Sequence, residues 1–168
     1  MKKLNRDEIT LAICIALFPP IWAVLAPKLG VTTGAVALIC AGVYAAAGNR
    51  EELALPMSLA FLAGDGWAVL ALKLMEALPL GESASLFVTL FFMGGVAVVI
   101  ASLLPKLFFC PAWLCGWAIG LTILGPVAAA DRGSLPVQIG AAMLAGVLYV
   151  GLAVERIRRR LAAAGRKE

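Results

Sequence analysis

The sequence contains no histidine, and only 14% of its 168 residues are charged. Without histidine, the commonest general base and the commonest metal ligand are missing together. The cysteines, Cys14, Cys40, Cys110 and Cys115, form no Cys-x-x-Cys pair. Neither a zinc nor a haem site is therefore expected. All four lie in or beside apolar segments and read as small, weakly polar packing residues. There is no phosphate-binding loop, no dinucleotide fingerprint and no nucleophile–base constellation, so no cofactor and no enzymatic activity are expected. Basic residues are not interleaved with aromatic ones, which argues against a nucleic-acid partner.

The scarcity of charge decides the class. A soluble domain is about half apolar and a quarter charged. This chain is 62% hydrophobic with a mean hydropathy of +0.98. Its polar side chains cannot cover a globular surface, and the lipid bilayer is the partner that resolves the surplus. Six apolar runs are readable, at 9–26, 31–47, 53–75, 85–104, 112–130 and 135–154, each near the roughly 20 residues that a membrane helix needs. The expected fold is all-α: a polytopic membrane protein of six transmembrane helices, in a single domain over 1–168 with a basic cytoplasmic tail at 155–168. The first run follows Lys2, Lys3 and Arg6 as a secretory signal would. Pro19-Pro20 and Trp22 interrupt it, however, and it reads as a retained helix.

Short connectors make successive helices antiparallel neighbours. With both termini on one side, eleven of the fourteen Lys and Arg residues share that side, leaving Lys28, Lys73 and Arg132 on the other. The positive-inside rule then expects both termini in the cytoplasm and an even number of spans. Arg156, Arg158, Arg159 and Arg160 read first as a topological anchor against lipid headgroups.

The two halves echo each other. Ala45-Ala46-Ala47-Gly48 matches Ala128-Ala129-Ala130-Asp131, Leu55-Pro56 matches Leu135-Pro136, and Leu62-Ala63-Gly64 matches Leu144-Ala145-Gly146. Trp67 and Tyr149 follow at the same offset. With three helices per half, this expects two inverted repeats, the common build of transporters. A competing match, Phe18-Pro19-Pro20-Ile21-Trp22 with Phe109-Cys110-Pro111-Ala112-Trp113, pairs helix one with helix five instead.

Asp65 is the outstanding residue, set in Gly64-Asp65-Gly66-Trp67 near the middle of the third run. A carboxylate there costs about 2.5–3.5 kcal/mol on insertion scales, and such residues face a bundle interior or a cavity. It reads equally as a solute ligand, proton relay or ion site and as a polar contact joining helices or subunits, with a shifted helix boundary as the third reading because Lys73 and Glu76 lie further along the run. Trp67 is a candidate wall of the same pathway. Pro19 and Pro20 expect a kink that frees the carbonyls of Ile15 and Ala16, either lining a polar path or shaping packing. Pro111 and Pro126 are expected to bend the fifth helix in the same way. Gly116 with Gly120, Ala60 with Gly64 and Ala142 with Gly146 are small residues spaced for close helix contact.

Ile21-Trp22, the Gly42-to-Gly48 stretch with Tyr44, and Gly64 with Trp67 resemble the YcdZ-like inner-membrane proteins of bacteria (domain of unknown function 1097). So do Phe109-x-Pro111 before Gly116, and Leu135-Pro136 leading to Gly146 and Tyr149. The resemblance implies a polytopic protein of the bacterial inner membrane and supplies no substrate. Together these features lead to one expectation: a homo-oligomeric channel or facilitator for a small, uncharged or weakly charged solute. The alternatives are a substrate-capture subunit that borrows an ATPase module, and a structural or assembly protein.

Overall fold

The computed structural model describes residues 6–164. Every regular element among them is helical. Three helices are long and apolar enough to cross a membrane, Glu51–Ala77, Glu82–Leu103 and Leu135–Arg160. Three apolar helices are shorter, Ala12–Lys28, Val36–Ala46 and Cys110–Leu124. This is the pattern of an integral membrane protein. The helices are α1 (Arg6–Lys28), α2 (Val36–Ala46), α3 (Ala54–Ala77), α4 (Glu82–Leu103), α5 (Cys110–Leu124), α6 (Leu135–Leu144) and α7 (Val154–Ala164). A π-helical segment, Ala145–Ala153, makes α6 and α7 one continuous rod.

Several boundaries differ from those the sequence expects. The second helix begins at Val36 rather than 31 because side chains elsewhere hold the preceding turn. The Trp22 indole N–H donates to the Gly34 carbonyl at 3.0 Å. Thr32 donates its backbone N–H and its hydroxyl to Gln138 Oε1 at 2.9 and 2.8 Å. The fifth helix ends at Leu124, so neither proline bends its interior. Pro111 sits in the first turn, where a missing N–H is harmless, and Pro126 lies beyond the end. Helix α1 runs unbroken through Pro19, Pro20 and Pro27.

The π segment has a geometric reason. Gly146 and Gly151 both face α2: a Cβ on Gly146 would strike Cys40 Cβ at 2.7 Å, and one on Gly151 would strike the Tyr44 ring at 2.7 Å. In an α-helix, five residues turn about 500°, which sends the second glycine some 140° away. Hydrogen bonding from i to i+5 widens the turn and brings both glycines back to one face.

Side-chain and backbone contacts define two ends of the bundle. At one, Thr32 meets Gln138 and Arg132 meets Glu76. At the other, the Phe109 N–H donates to the Pro56 carbonyl, and Arg156 pairs with Glu51. Successive helices therefore run up and down. The core pairs α3 with α5 most extensively, and α2 with the π segment; α3 also packs on α6 and α4, and α1 on α7. Helix α4 turns Phe87, Phe91, Phe92 and Val99 outward, an apolar face suited to lipid rather than water.

Candidate functional site

The site grows from the crossing of α3 and α5. A Cβ on Gly64 would overlap the Trp113 carbonyl and approach Trp117 N at 2.6 Å. One on Gly116 would approach the Phe61 carbonyl at 2.6 Å, and one on Gly120 the Ala68 Cβ at 2.5 Å. Three glycines thus let the two backbones touch, which side chains of any size would forbid.

Asp65 follows Gly64 into this contact and is 7% exposed. Its carboxylate lies between α5 and α6, with glycine on both sides. A Cβ built on Gly120 would sit 3.3 Å from Oδ1, and one on Gly140 would sit 3.9 Å from Oδ2. Oδ1 is buried with no hydrogen-bond partner among the described residues. Buried polar atoms are almost always paired, so an orphan acceptor in the interior calls for an explanation.

The face of α3 that carries Asp65 has a pattern. Ser58 lies seven residues before it, buried, its hydroxyl also without a partner. Leu72 lies seven residues after it, about 10 Å along the helix at roughly 1.5 Å per residue. Leu72 and Leu121 line a cavity of about 500 Å³ together with Glu76, Glu82, Ser85 and Arg132. The stripe of Ser58, Asp65 and Leu72 thus runs along one face of α3 toward a vestibule at the Gln138 end, polar at Ser58 and Asp65 and apolar from Ala68 to Leu72.

Arg132 shapes that vestibule. It pairs with Glu76 at 3.0 Å, and its Nε–H lies 3.3 and 3.1 Å from the Leu124 and Val127 carbonyls. The arginine side chain is 13% exposed and the glutamate's 50%. Arg132→Gln is expected to lower stability by about 1–3 kcal/mol, because it strands two carbonyls and an acid. Glu76→Gln should cost less, since an exposed partner contributes little. Thermal unfolding in detergent compares the two.

Of the residues singled out from the sequence, Gly64 and Asp65 lie together against Gly116 and Gly120. Trp67 turns to α4 and α5: its indole N–H donates to the Met93 carbonyl at 3.2 Å, and its ring meets Trp113 edge-on at 5.5 Å. Gly66 is exposed and faces open space. Pro19 and Pro20 lie on α1, which packs on α7; Pro19 lines a separate groove that does not include Asp65. Ala142 is fully buried on α6, and Gly146 lies against α2. Sequence reasoning missed Ser58 as part of the stripe, Gly140, and the Glu76–Arg132 vestibule. The seven-residue steps from Ser58 to Asp65 to Leu72 were the available signal.

The profile of the family described as "Protein of unknown function (DUF1097)" matches residues 12–158, and the chain belongs to that family. It is the family that the Trp22, Gly64, Pro111 and Tyr149 motifs resemble. No curated protein and no solved structure matches the chain.

Proposed function

We propose that this DUF1097 protein is a small-solute channel or facilitator of the bacterial inner membrane, homo-oligomeric, with Asp65 as the polar station of its pathway. The observation that carries the reading is the buried Asp65 carboxylate, whose Oδ1 has no hydrogen-bond partner among the described residues, about two turns along α3 from Leu72 in the vestibule wall. Helix glue is the less fitting role. A carboxylate that joined helices would hold a donor on α5 or α6, where glycine stands instead. One that joined subunits would be exposed, and Asp65 is not. A passing solute with N–H or O–H groups supplies the missing donor.

The six apolar helices are taken as six spans, with both termini cytoplasmic, because that topology puts most Lys and Arg inside. The packing supports two inverted repeats. Exchanging the halves carries the α3–α5 pair onto the sixth helix with α2, and α3–α4 onto the sixth helix with α1. Likewise, the segment entering α5 hydrogen-bonds to the start of α3, as the segment entering α2 does to α6. A green fluorescent protein fused after the last residue should fluoresce, and alkaline phosphatase fused there should stay inactive. The opposite pair of results would overturn the topology.

The function is tested by stopped-flow light scattering on proteoliposomes that contain this chain alone, with urea, short amides and glycerol as solutes. Saturable uptake above protein-free liposomes is expected. A second reading, a capture subunit that needs an ATPase partner, is favoured by the vestibule's position at one end of the bundle. Uptake equal to protein-free liposomes for every solute would replace the facilitator with that reading.

A further inference from the structure

We infer that the groove between α1, α2 and α7 is a binding site for one acyl chain of an anionic phospholipid, with its phosphate held by the arginines at the start of α7. The groove has a volume of about 210 Å³ and is walled by Ile15, Pro19, Leu38, Gly42, Val150 and Gly151. Its walls are apolar over this length and become polar at one end only, where Asn49 and Glu155 line it. That end is the Asn49 end of the bundle, at the limit of the apolar helices, where a lipid headgroup would lie.

The charge at this mouth fits an anion. Glu155 is 2% exposed and accepts hydrogen bonds from Arg158 at 2.8 Å and from Arg159 at 2.7 Å. Glu155 thus anchors two guanidinium groups at the edge of the groove. Arg159 also donates to the Asn49 carbonyl at 3.3 Å, yet its side chain remains 52% exposed. Arg156, 56% exposed, pairs with Glu51. Arg156 and Arg159 thus keep more than half of each side chain exposed beside the groove, and the guanidinium fork suits a phosphate. The apolar half excludes a free phosphate as occupant. The site is independent of the solute reading, because Asp65 lines neither this groove nor its mouth.

Gly42 offers a clean test, since a Cβ there meets nothing within 4 Å. A side chain at Gly42 therefore starts in open space on the groove wall, and Gly42→Phe is chosen to fill the groove. Ala45→Phe, on the same wall, is the second filling variant if the first does not fold. Gly95→Phe, also in open space but on α4, is the control for added bulk. Native mass spectrometry is run on the full chain with equal amounts of phosphatidylglycerol and phosphatidylcholine. The wild type should retain one phosphatidylglycerol per protomer. Gly42→Phe should lose it, Gly95→Phe should keep it, and Arg159→Gln should cut the preference for the anionic lipid about fivefold. The inference is overturned if the wild type retains both lipids equally. It is also overturned if Gly42→Phe retains as much as the wild type, or if the groove proves to be covered by a second copy, seen as a lipid-free dimer that Gly42→Phe dissociates.

Discussion

Gly64→Leu is expected to yield no folded protein, while Gly66→Ala, two residues away, is expected to fold and to melt at a higher temperature than the wild type. The contrast follows from what each position faces. At Gly64 even a methyl group overlaps the Trp113 carbonyl and crowds Trp117 N and the Gly116 carbonyl carbon, all of them backbone. Backbone atoms of a helix cannot rotate aside as the end of a side chain can, so α3 and α5 must separate. Overpacking by a single methyl costs about 1–3 kcal/mol in ordinary cores. A leucine at the tightest crossing exceeds that and removes the bundle's most extensive contact. Gly66 meets nothing within 4 Å, so alanine there stiffens the helix and gains about 0.5–1 kcal/mol. Gly146→Leu should fail as Gly64→Leu does, because the Ala37 backbone and Cys40 lie against it. Expression of monodisperse protein, followed by thermal unfolding, separates these outcomes.

Asp65→Asn is expected to divide stability from function. An orphan buried acceptor costs about 1–3 kcal/mol, more when charged. Replacing the carboxylate by a neutral amide of the same shape should leave the melting temperature unchanged or raise it. Solute passage should fall, since a hydrogen bond to a charged group is worth about 1.5–3 kcal/mol and its loss slows transit roughly tenfold or more. A residue that served only to join helices would give the reverse: lower stability, with nothing lost in flux. Asp65→Leu adds volume between Gly120 and Gly140 and should block passage as well.

The six apolar helices were legible because a bilayer demands long apolar runs with charged or breaking residues between them. Asp65 was legible for the same reason, as a carboxylate in an apolar run. Its surroundings were not. Gly120 and Gly140 contribute to the site by having no side chain, and sequence alone does not tell a glycine facing a carboxylate from one facing open space, as Gly66 does. The short α2 was also hidden. It is set by Trp22 on Gly34 and by Thr32 on Gln138, 106 residues away, and no local pattern reports a partner at that distance. The π segment depends on Gly146 and Gly151 sharing one neighbour, a tertiary fact that a count of α-helical turns misreads. Pro126 looked like a kink because the expected fifth run was drawn to 130, past the end of the helix at Leu124, and Pro111 falls in the first turn, where it bends nothing.

The most direct test of the account is urea uptake by stopped-flow light scattering, with wild-type chain and Asp65→Asn reconstituted at equal protein-to-lipid ratio and melting temperatures measured on the same preparations. The account predicts uptake above protein-free liposomes for the wild type, and at least about tenfold slower protein-dependent uptake for a variant that melts no lower. A variant that is as fast as the wild type but melts lower would contradict it and make Asp65 a structural contact.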